Sequence, residues 1–399
     1  MSSKPITSNA PEEGQKHTPS QTKLFNPFQI RGLTLRNRII VAPMGMYSSP
    51  NGNFTDFHLM HHGHFTFRGA GMSIIEVSAV TASGRTSPED AGLWDDSQIP
   101  GLKKVVDYVH AQEGGGGKIA IQLGHAGRKG GMTPIYPGRE HHIVAKDDGG
   151  WEDEILGASA VQFLPSYIMP KEMSGEQIRE VVVAFGAAAA RAVKAGVDAI
   201  EVHGAHGYLI SSFLSPIANF RTDAYGGSFE NRIRILLEVV QSIRSNIPDT
   251  MPLFVRISAV DWMEHEPSTP QWTIQDSVKL SLILSDLGVD VIDVSSGGNN
   301  PEQKILVTPY YQINFAAAIR KALKEAGKTM LVAAVGSIDN AALATEVLDE
   351  EKADMVLVAR EFMRNPGLVY TWAEQLNVQL PWPRQYLRAP RDSKLRATI

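Results

Sequence analysis

The sequence predicts a single (β/α)8 barrel, because strand-like and helix-like segments alternate along most of its 399 residues. Three segments repeat one pattern, in which a helix-like stretch is followed by a turn containing Asp and then by a short β-branched run. These segments are 195–203, 287–295 and 352–360. Five further apolar runs of strand length bring the predicted strands to eight, and such barrels commonly need about 250 residues plus insertions.

In chain order, the predicted strands lie within 39–44, 72–79, 118–122, 195–203, 253–257, 287–295, 330–335 and 352–360. Helical periodicity is predicted for 177–195, 231–245, 273–287, 313–326 and 340–349. A doubly wound parallel sheet is the main alternative. It is weakened because the first strand is followed by Pro43-Met44-Gly45-Met46-Tyr47 rather than by a G-x-G-x-x-G motif.

A long polar segment, residues 128–171, interrupts this alternation between the third and fourth predicted strands. It contains Gly-Gly pairs, several prolines and short β-like pieces. Loops inserted at that end of a barrel cover its active site, so we interpret the segment as a lid or hairpin, with inert decoration as the alternative. We expect residues 1–23 to be a disordered leader, residues 24–388 to form the barrel, and residues 389–399 to be a C-terminal tail.

Composition narrows the classes of partner. A formal net charge of −5 gives no basic field for nucleic acid or for an acidic membrane, so a small molecule is the expected partner. We find no signal peptide and no apolar run that suits a membrane span, so we expect a soluble, cytoplasmic protein. The chain has no cysteine, which excludes disulfides, thiolate nucleophiles and Cys-ligated metal clusters.

The fourth predicted strand runs directly into His203, His206 and Tyr208. Active sites of barrels lie at the carboxyl ends of the strands, so these side chains should reach the site. Two imidazoles can polarise a carbonyl group, and a phenol can protonate the neighbouring carbon. Beside a hydride source, this combination indicates a reductase.

Two other enzyme classes are alternatives. A metal-dependent hydrolase could bind its metal through Glu201, His203 and His206, although Glu201 and His203 face the same side only if the strand stays regular, and no further carboxylate stands at the other strand ends to add to the three protein ligands that catalytic zinc typically needs. A Schiff-base aldolase could use Lys118, but this lysine lies at the start of a strand rather than at its catalytic end. A flavoprotein that stores or senses its cofactor without catalysis is a third possibility.

The other strand ends suggest a phosphorylated cofactor. Gly336 and Arg360 follow the seventh and eighth strands, whose loops usually bind phosphate in such barrels, although a structural ion pair of Arg360 is the alternative. Arg256 on the fifth strand needs an anionic partner from protein or ligand, because an unpaired buried cation is costly. Gln122 on the third strand offers both a donor and an acceptor, which suits the edge of a flavin ring.

Two further motifs have a structural interpretation. The histidine-rich stretch His58-Leu-Met-His61-His62-Gly-His64 alternates with large apolar residues, which favours an amphipathic helix with partly solvated histidines over a metal site. The charged stretch 219–232 is interpreted as a structural clamp at the entrance of the helix after the fourth strand.

Together, several of these segments resemble the old yellow enzyme family of FMN-dependent ene-reductases. The segments are Ala42-Pro-Met, Gln122-Leu-Gly-His-Ala-Gly-Arg128, His203-Gly-Ala-His-Gly-Tyr-Leu, Leu214-Ser-Pro, Asn219-Phe-Arg-Thr-Asp-Ala-Tyr-Gly-Gly-Ser-Phe-Glu-Asn-Arg232 and Val358-Ala-Arg360. The resemblance covers residues 24–388. Met44-Gly-Met-Tyr-Ser-Ser49 and Gln385-Tyr-Leu-Arg388 resemble the thermophilic-like bacterial subclass most.

The resemblance implies a set of roles for the site residues. His203 and His206 would hold the carbonyl or nitro oxygen of an activated alkene, Tyr208 would donate the proton, and Tyr47 would line the substrate pocket. Arg388 would reach into a neighbouring subunit's site, so a homodimer or larger homo-oligomer is expected. NADPH or NADH would supply the hydride. FMN would contact Ala42, Pro43, Met44, Gly45, Val77, Gln122, Arg256, Gly336, Ala359 and Arg360.

The chain departs from this family pattern at two positions. Gly45 stands where the subclass usually has a cysteine beside the flavin and where other members have a threonine. Without that side-chain donor, we expect the flavin to be harder to reduce. Val77 stands where many relatives have alanine, and it should tighten a contact with the ring edge without changing the chemistry.

Overall fold

A computed structural model describes residues 22–112 and 116–390, and it contains a closed barrel of eight parallel strands. The strands of the described chain are β1 (Phe28–Ile30), β2 (Leu33–Leu35), β3 (Ile39–Val41), β4 (Met72–Ala79), β5 (Ile119–Gly124), β6 (Leu156–Gly157), β7 (Lys171–Glu172), β8 (Ala199–Gly204), β9 (Leu253–Ser258), β10 (Val291–Ser295), β11 (Leu331–Val335) and β12 (Met355–Val358). The barrel runs β3-β4-β5-β8-β9-β10-β11-β12 and closes from β12 to β3. The predicted fold is confirmed, and a doubly wound sheet is excluded.

Helices connect successive barrel strands. They are α1 (Asp56–Phe67), α2 (Ile99–His110), α3 (Gly175–Ala195), α4 (Leu209–Leu214), α5 (Phe229–Arg244), α6 (Ile274–Asp286), α7 (Ile313–Glu325), α8 (Ala341–Asp349), α9 (Arg360–Arg364) and α10 (Leu368–Gln375). The helix predicted from residue 177 begins two residues earlier. Ser174 accepts a hydrogen bond from the Gln177 amide, and the Gln177 side chain accepts one from the Ser174 amide, which closes a capping box. No helix in the described ranges combines the length and apolarity of a membrane span.

The interior of the barrel changes from apolar to polar along its axis. On β8, side chains of alternate residues face inward, from Ala199 through Glu201 to His203. On β9, the inward side chains change in the same way, from the apolar Phe254 to the charged Arg256. The apolar inward residues form one buried cluster with Ile30, Leu33 and Leu35 of the β1–β2 hairpin, which covers the amino-terminal end of the barrel. The polar carboxyl-terminal end is therefore left for the site.

The inserted segment 128–171 lies at that polar end. Its residues 131–144 form a small antiparallel turn, in which Thr133 and His142 are hydrogen-bonded. The predicted hairpin is only part of it, because β6 and β7 pair in parallel. The Tyr136 ring contacts the Tyr47 ring edge-on at 5.5 Å between centroids, which places the insertion beside the mouth of the barrel.

The ends of the chain are described only in part. The leader expected at 1–23 lies almost wholly outside the described residues, and so does the tail from 391 onward. A single 3-10 turn at Lys23–Phe25 begins the described chain, with Leu24 and Phe25 buried.

The histidine-rich stretch forms α1, but the expectation of partly solvated histidines is wrong for most of it. His58, His61 and His62 are all buried, because α1 packs against β4, where Glu76 is also buried. His58 Nε2 lies 3.2 Å from Glu76 Oε1. Burial raises the pKa of Glu76, but its interactions with His58 and His62 outweigh this and lower the pKa to about 2. These histidines are therefore part of a buried structural network.

The charged stretch 219–232 acts as the predicted clamp. Arg221 is buried and donates to the Asp223 carboxylate through Nε and Nη2, while its Nη1 donates to the carbonyl oxygens of Ala158 and Met173. These bonds fasten the end of the inserted segment to the loop before α5. Ser228 then caps α5 by accepting a hydrogen bond from Asn231 N.

Candidate active site

A tight turn after β8 brings two imidazoles and a phenol together. We call residues 203–208 the histidine loop. His206 has a left-handed backbone with φ 62°, and Gly207 follows with φ 71°. A Cβ atom on Gly207 would lie 2.0 Å from the Gly298 carbonyl oxygen, so only glycine fits there. The His203 ring centroid is 5.1 Å from that of His206 and 5.0 Å from that of Tyr208.

The three rings border a cavity of about 190 Å³ at the carboxyl end of the barrel. The cavity brings together nine residues proposed from the sequence, namely Pro43, Gly45, Tyr47, Val77, Gln122, His203, His206, Tyr208 and Arg256. Its wall also includes Met46, Glu76, Thr86, Asp90 and Ala91, which the sequence did not single out. Thr86 and Asp90 are hydrogen-bonded to each other in the loop after β4, where no periodic signal distinguishes them.

The remaining proposed residues lie outside this cavity wall. Ala42, Met44, Gly336, Ala359 and Arg360 belong to the ends of β3, β11 and β12 or to the residues that follow them. The Ala42 amide donates to the Val358 carbonyl, which holds two of these ends together.

Arg388 is exposed and does not line the cavity of its own chain. Its role at a neighbouring subunit's site therefore stays a prediction.

Burial keeps both imidazoles neutral. It is the largest cause that lowers the pKa of His203 well below its usual value, followed by His206 and the cation of Arg256. Burial, Arg256 and Lys129 lower the pKa of His206 to about 3. For Tyr208, burial first and Asp90 second raise the pKa of the phenol above its usual value. The site therefore presents neutral N–H and O–H groups at pH 7.

Side chains from three other segments hold the histidine loop. His206 Nε2 lies 2.7 Å from Ser295 Oγ, and the His206 amide donates to Ser258 Oγ at 2.8 Å. Lys129 Nζ donates to the carbonyl oxygens of His206 at 2.8 Å and of Gly298 at 2.6 Å. Sequence reasoning missed Lys129, although it directly follows the segment that ends at Arg128. Nothing in local periodicity shows that this lysine reaches a loop about eighty residues further along the chain.

The anionic partner expected for Arg256 comes from the protein. Arg256 Nε lies 2.7 Å from Asp293 Oδ2 on the adjacent strand β10. The N–H does not point along the line between these atoms, so the contact is an ion pair without a well-formed hydrogen bond. Gln122 Nε2 donates to Glu201 Oε2 at 2.7 Å.

The geometry does not support the alternatives that use metal or lysine chemistry. Within residues 22–112 and 116–390, no three His, Asp or Glu side chains are arranged to hold a metal ion. Glu201 is bonded to Gln122 rather than turned toward the imidazoles. Lys118 lies 3.2 Å from Asp198 at the amino-terminal end of the barrel, away from the cavity.

The residues present fit FMN. Gly336 has φ 102°, and a Cβ atom there would lie 2.4 Å from Gln312 Nε2, so only glycine fits and the main chain after β11 carries no side chain at this position. In the described chain, the exposed side chain of Arg360 takes part in no ion pair, which leaves its cation available for a phosphate and disfavours the structural alternative. Gln122 and Arg256 supply polar groups at the cavity wall.

Comparisons with known proteins agree with this fit. Residues 23–379 match the model of the NADH:flavin oxidoreductase / NADH oxidase family. An NADH:flavin oxidoreductase of Gibberella zeae is 44% identical over 376 residues, which cover 92% of this chain and 89% of that protein.

Solved structures show the same fold. Morphinone reductase superposes with a TM-score of 0.73 at 27% identity, covering 92% of this chain and 93% of that one. Its complex with tetrahydroNAD gives a TM-score of 0.72 at 26% identity, with coverage of 92% and 94%. The extent of the family match, the sequence identity and the shared barrel agree, and this chain belongs to the NADH:flavin oxidoreductase / NADH oxidase family, the FMN-dependent family of the old yellow enzymes.

Proposed function

We propose that this FMN-dependent oxidoreductase is an ene-reductase, which reduces the activated C=C bond of α,β-unsaturated carbonyl or nitro compounds. One observation carries the proposal: His203, His206 and Tyr208 border the same cavity as neutral hydrogen-bonding groups. A carbonyl or nitro oxygen needs such donors, whereas a phosphate or carboxylate would favour cations.

The imidazoles would bind the substrate oxygen. Neutral His203 and His206 each offer one N–H, and their positions are fixed before substrate arrives by Ser295, Ser258 and the tight histidine loop. Negative charge grows on this oxygen as the alkene is reduced. Preorganised donors stabilise that charge, and removing one donor of this kind typically costs about 2.7–4 kcal/mol in the transition state.

Tyr208 would deliver the proton to the α-carbon. Its raised pKa keeps the phenol protonated throughout the neutral range, so the proton is present when it is needed. Its ring lies edge-on to His203, which sets the phenol beside the groups that would anchor the substrate.

Gln122, Arg256, Gly336 and Arg360 would hold FMN, the first two near the cavity and the last two by its phosphate. When bound, FMN supplies hydride transfer between a nicotinamide and the alkene. The tetrahydroNAD bound to morphinone reductase supports NADH or NADPH as the donor.

The test follows the absorbance of the purified full-length protein under anaerobic conditions. We expect a yellow protein that bleaches when NADPH or NADH is added and recovers its colour when cyclohexenone follows. A colourless protein would contradict the cofactor. A protein that bleaches but does not recover with any activated alkene would contradict ene-reduction, and one whose flavin NAD(P)H does not reduce would favour a storage or sensing role.

A second measurement tests the oxygen anchor. In His203→Ala combined with His206→Ala, we expect bound flavin but no charge-transfer band on adding a phenol, because phenols need the same two donors. The single variant Ser87→Ala, in the wall loop but without contact to either imidazole, is the control. Persistence of the band in the double variant would show that the anchor is elsewhere.

A further inference from the structure

Four buried polar residues lie on neighbouring barrel strands, and two of them also line the cavity. Gln122, Glu201, Arg256 and Asp293 come from the consecutive strands β5, β8, β9 and β10. Both carboxyl groups are fully buried, with 0% exposure. Ala42, Ile74 and Leu357, on or next to three of the other barrel strands, belong to the apolar cluster inside the barrel. The four residues are therefore a set of buried polar side chains, which we call the polar seam, next to apolar side chains inside the barrel.

The charges in this seam do not balance if both acids are ionised. Among the described residues, Arg256 is the cation that acts on the two carboxyls of Glu201 and Asp293. The other titratable groups of the cavity wall are His203 and His206, which burial keeps neutral, the phenols Tyr47 and Tyr208, and the acids Glu76 and Asp90. None of them adds a cation beside the two carboxyls. An uncompensated buried carboxylate is expensive, and two adjacent acids relieve that cost by sharing one proton.

Hydrogen-bond counting leads to the same arrangement. With both groups taken as carboxylates, Glu201 Oε1 and both oxygens of Asp293 are buried without a donor in the described structure. A proton on Glu201 directed at Asp293 supplies the missing donor between them. Burial and then the Asp293 charge raise the pKa of Glu201 to about 8, and burial raises the pKa of Asp293 as well, against the opposing effects of Arg256 and Glu201. Arg256 Nε lies 2.7 Å from Asp293, which favours the ionised form of Asp293 and assigns the proton to Glu201.

The proton also decides which way the Gln122 amide is turned. Because the single O–H of Glu201 is directed at Asp293, its other oxygen can only accept, so Gln122 must present its N–H to Glu201. The Gln122 oxygen is then left as an acceptor at the cavity wall. An amide turned the other way would set two acceptors against each other.

We propose that Glu201 and Asp293 share one proton in the working protein, and that the series Arg256–Asp293–Glu201–Gln122 is a positioning network that fixes the Gln122 amide with its oxygen toward the cofactor. The inference deepens the proposed function and rests on it for the identity of the group that Gln122 faces. The shared proton itself depends only on the folded chain.

The first test is the pH dependence of thermal unfolding of the flavin-loaded full-length protein, compared with Glu201→Gln. A glutamine has the acceptor and the donor of a protonated glutamate but cannot ionise. The folded pKa of Glu201 lies above its unfolded value near 4.5, so the stabilisation is fully present below that value and is lost as pH rises through about 8. Relative to Glu201→Gln, the wild-type unfolding constant should rise by up to about tenfold per pH unit within this window.

Two further variants make the result specific. The exposed Glu180→Gln should give a curve parallel to that of the wild type. Asp293→Asn should flatten the curve in part, because it removes the second of the two causes that keep Glu201 protonated while the burial of Glu201 remains. If the pH dependence of unfolding is the same in the wild type and in Glu201→Gln, the two acids do not share a proton. The proposed ene-reduction is tested separately, by oxidation of the reduced protein with cyclohexenone.

The second test concerns the amide. Glu201→Met has a similar size but no acceptor for Gln122, so its FMN dissociation constant should exceed that of Glu201→Gln by about tenfold, as expected for one lost buried hydrogen bond. Equal dissociation constants for these two variants would overturn the positioning role of Glu201. If Glu201→Met does not fold, Asp293→Asn provides the comparison, with weaker FMN binding than the wild type expected and unchanged binding counting against the network.

Discussion

At the scale of single residues, burial determines the chemistry of the site. His203 and His206 would be partly charged near neutral pH in water, but in this cavity both are neutral donors. Tyr208 stays protonated for the same reason. These groups are suited to bind and protonate an uncharged organic substrate. A substitution that admits water to the cavity should bring their pKa values back toward those in water.

Tyr208→Phe tests the proton donor. The variant keeps the ring and its contact with His203 but loses the O–H. Oxidation of the reduced flavin by cyclohexenone should slow by roughly 10²–10⁴-fold, the usual contribution of a positioned acid, while reduction by NADPH should not change. Anaerobic stopped-flow mixing measures the two halves separately. Equal slowing of both halves would argue against a proton-donor role.

Gly45→Cys tests the departure from the family pattern. A Cβ atom on Gly45 would meet only the Tyr47 ring, at 4.0 Å, so a side chain fits there without strain. A donor beside the flavin carbonyl should favour the reduced state, and the flavin midpoint potential of Gly45→Cys should therefore be higher than that of the wild type. Gly45→Ala, which adds bulk without a donor, is the matched control. A wild-type potential equal to or above that of Gly45→Cys would refute the idea.

At the scale of elements, the site is built where loops from distant parts of the chain meet. The histidine loop packs so closely against the loop after β10 that Gly207 and Gly298 cannot carry side chains. Lys129, at the start of the insertion, bonds to both loops. The insertion is thus joined by hydrogen bonds to the histidine loop and to the loop after β10.

Lys129→Met tests this connection. Removing two hydrogen bonds to the loop backbone should slow the oxidation of the reduced flavin by an activated alkene, the alkene half-reaction, by about tenfold or more. The flavin should stay bound. Burial and the Arg128 charge lower the pKa of Lys129 to about 7, so the wild-type rate should fall as pH rises through 7, where the ammonium loses its charge-assisted bonds.

The comparison is between pH profiles of the alkene half-reaction. In Lys129→Met, the inflection near pH 7 should be absent. The control is Lys103→Met, which removes an exposed lysine paired with Asp107 on α2. A profile in Lys129→Met that keeps the inflection would assign it to another group.

At the scale of the whole molecule, the last described segment lies on the outside of the barrel. Tyr386 packs edge-on against Phe67 of α1 and lies under the Arg68 guanidinium, which anchors the segment outside the barrel. Arg388 is exposed two residues later and does not line its own cavity. This placement suits the proposal that it completes the site of a second subunit.

Mixed oligomers of Arg388→Ala and Tyr208→Phe chains test that proposal. If Arg388 acts across the interface, a site with intact Tyr208 receives an intact Arg388 from its partner, so mixing should restore part of the turnover that each variant lacks. Light scattering should show a mass at least twice the 43.6 kDa of one chain. A monomer, or mixing without any recovery, would contradict an inter-subunit role.

Much of this architecture could be predicted from local sequence. Alternation of strand and helix patterns located all eight barrel strands, and the residues that end them located His203, His206, Tyr208, Gln122 and Arg256. These predictions succeed because side-chain periodicity and strand ends are local properties, and a closed barrel converts strand ends into one site. The buried histidines of α1 were misjudged because helical periodicity does not show that the facing strand carries Glu76.

The sequence by itself therefore determined the barrel, the cofactor class and nine of the residues that line the cavity. Only the tertiary structure decided the protonation states and the contacts of these residues. Neutral imidazoles, the tether from Lys129, and the pairing of Arg256 with Asp293 depend on burial and on contacts between segments far apart in the chain. Ionisation energies respond to the surroundings in three dimensions, and local sequence patterns do not determine those surroundings.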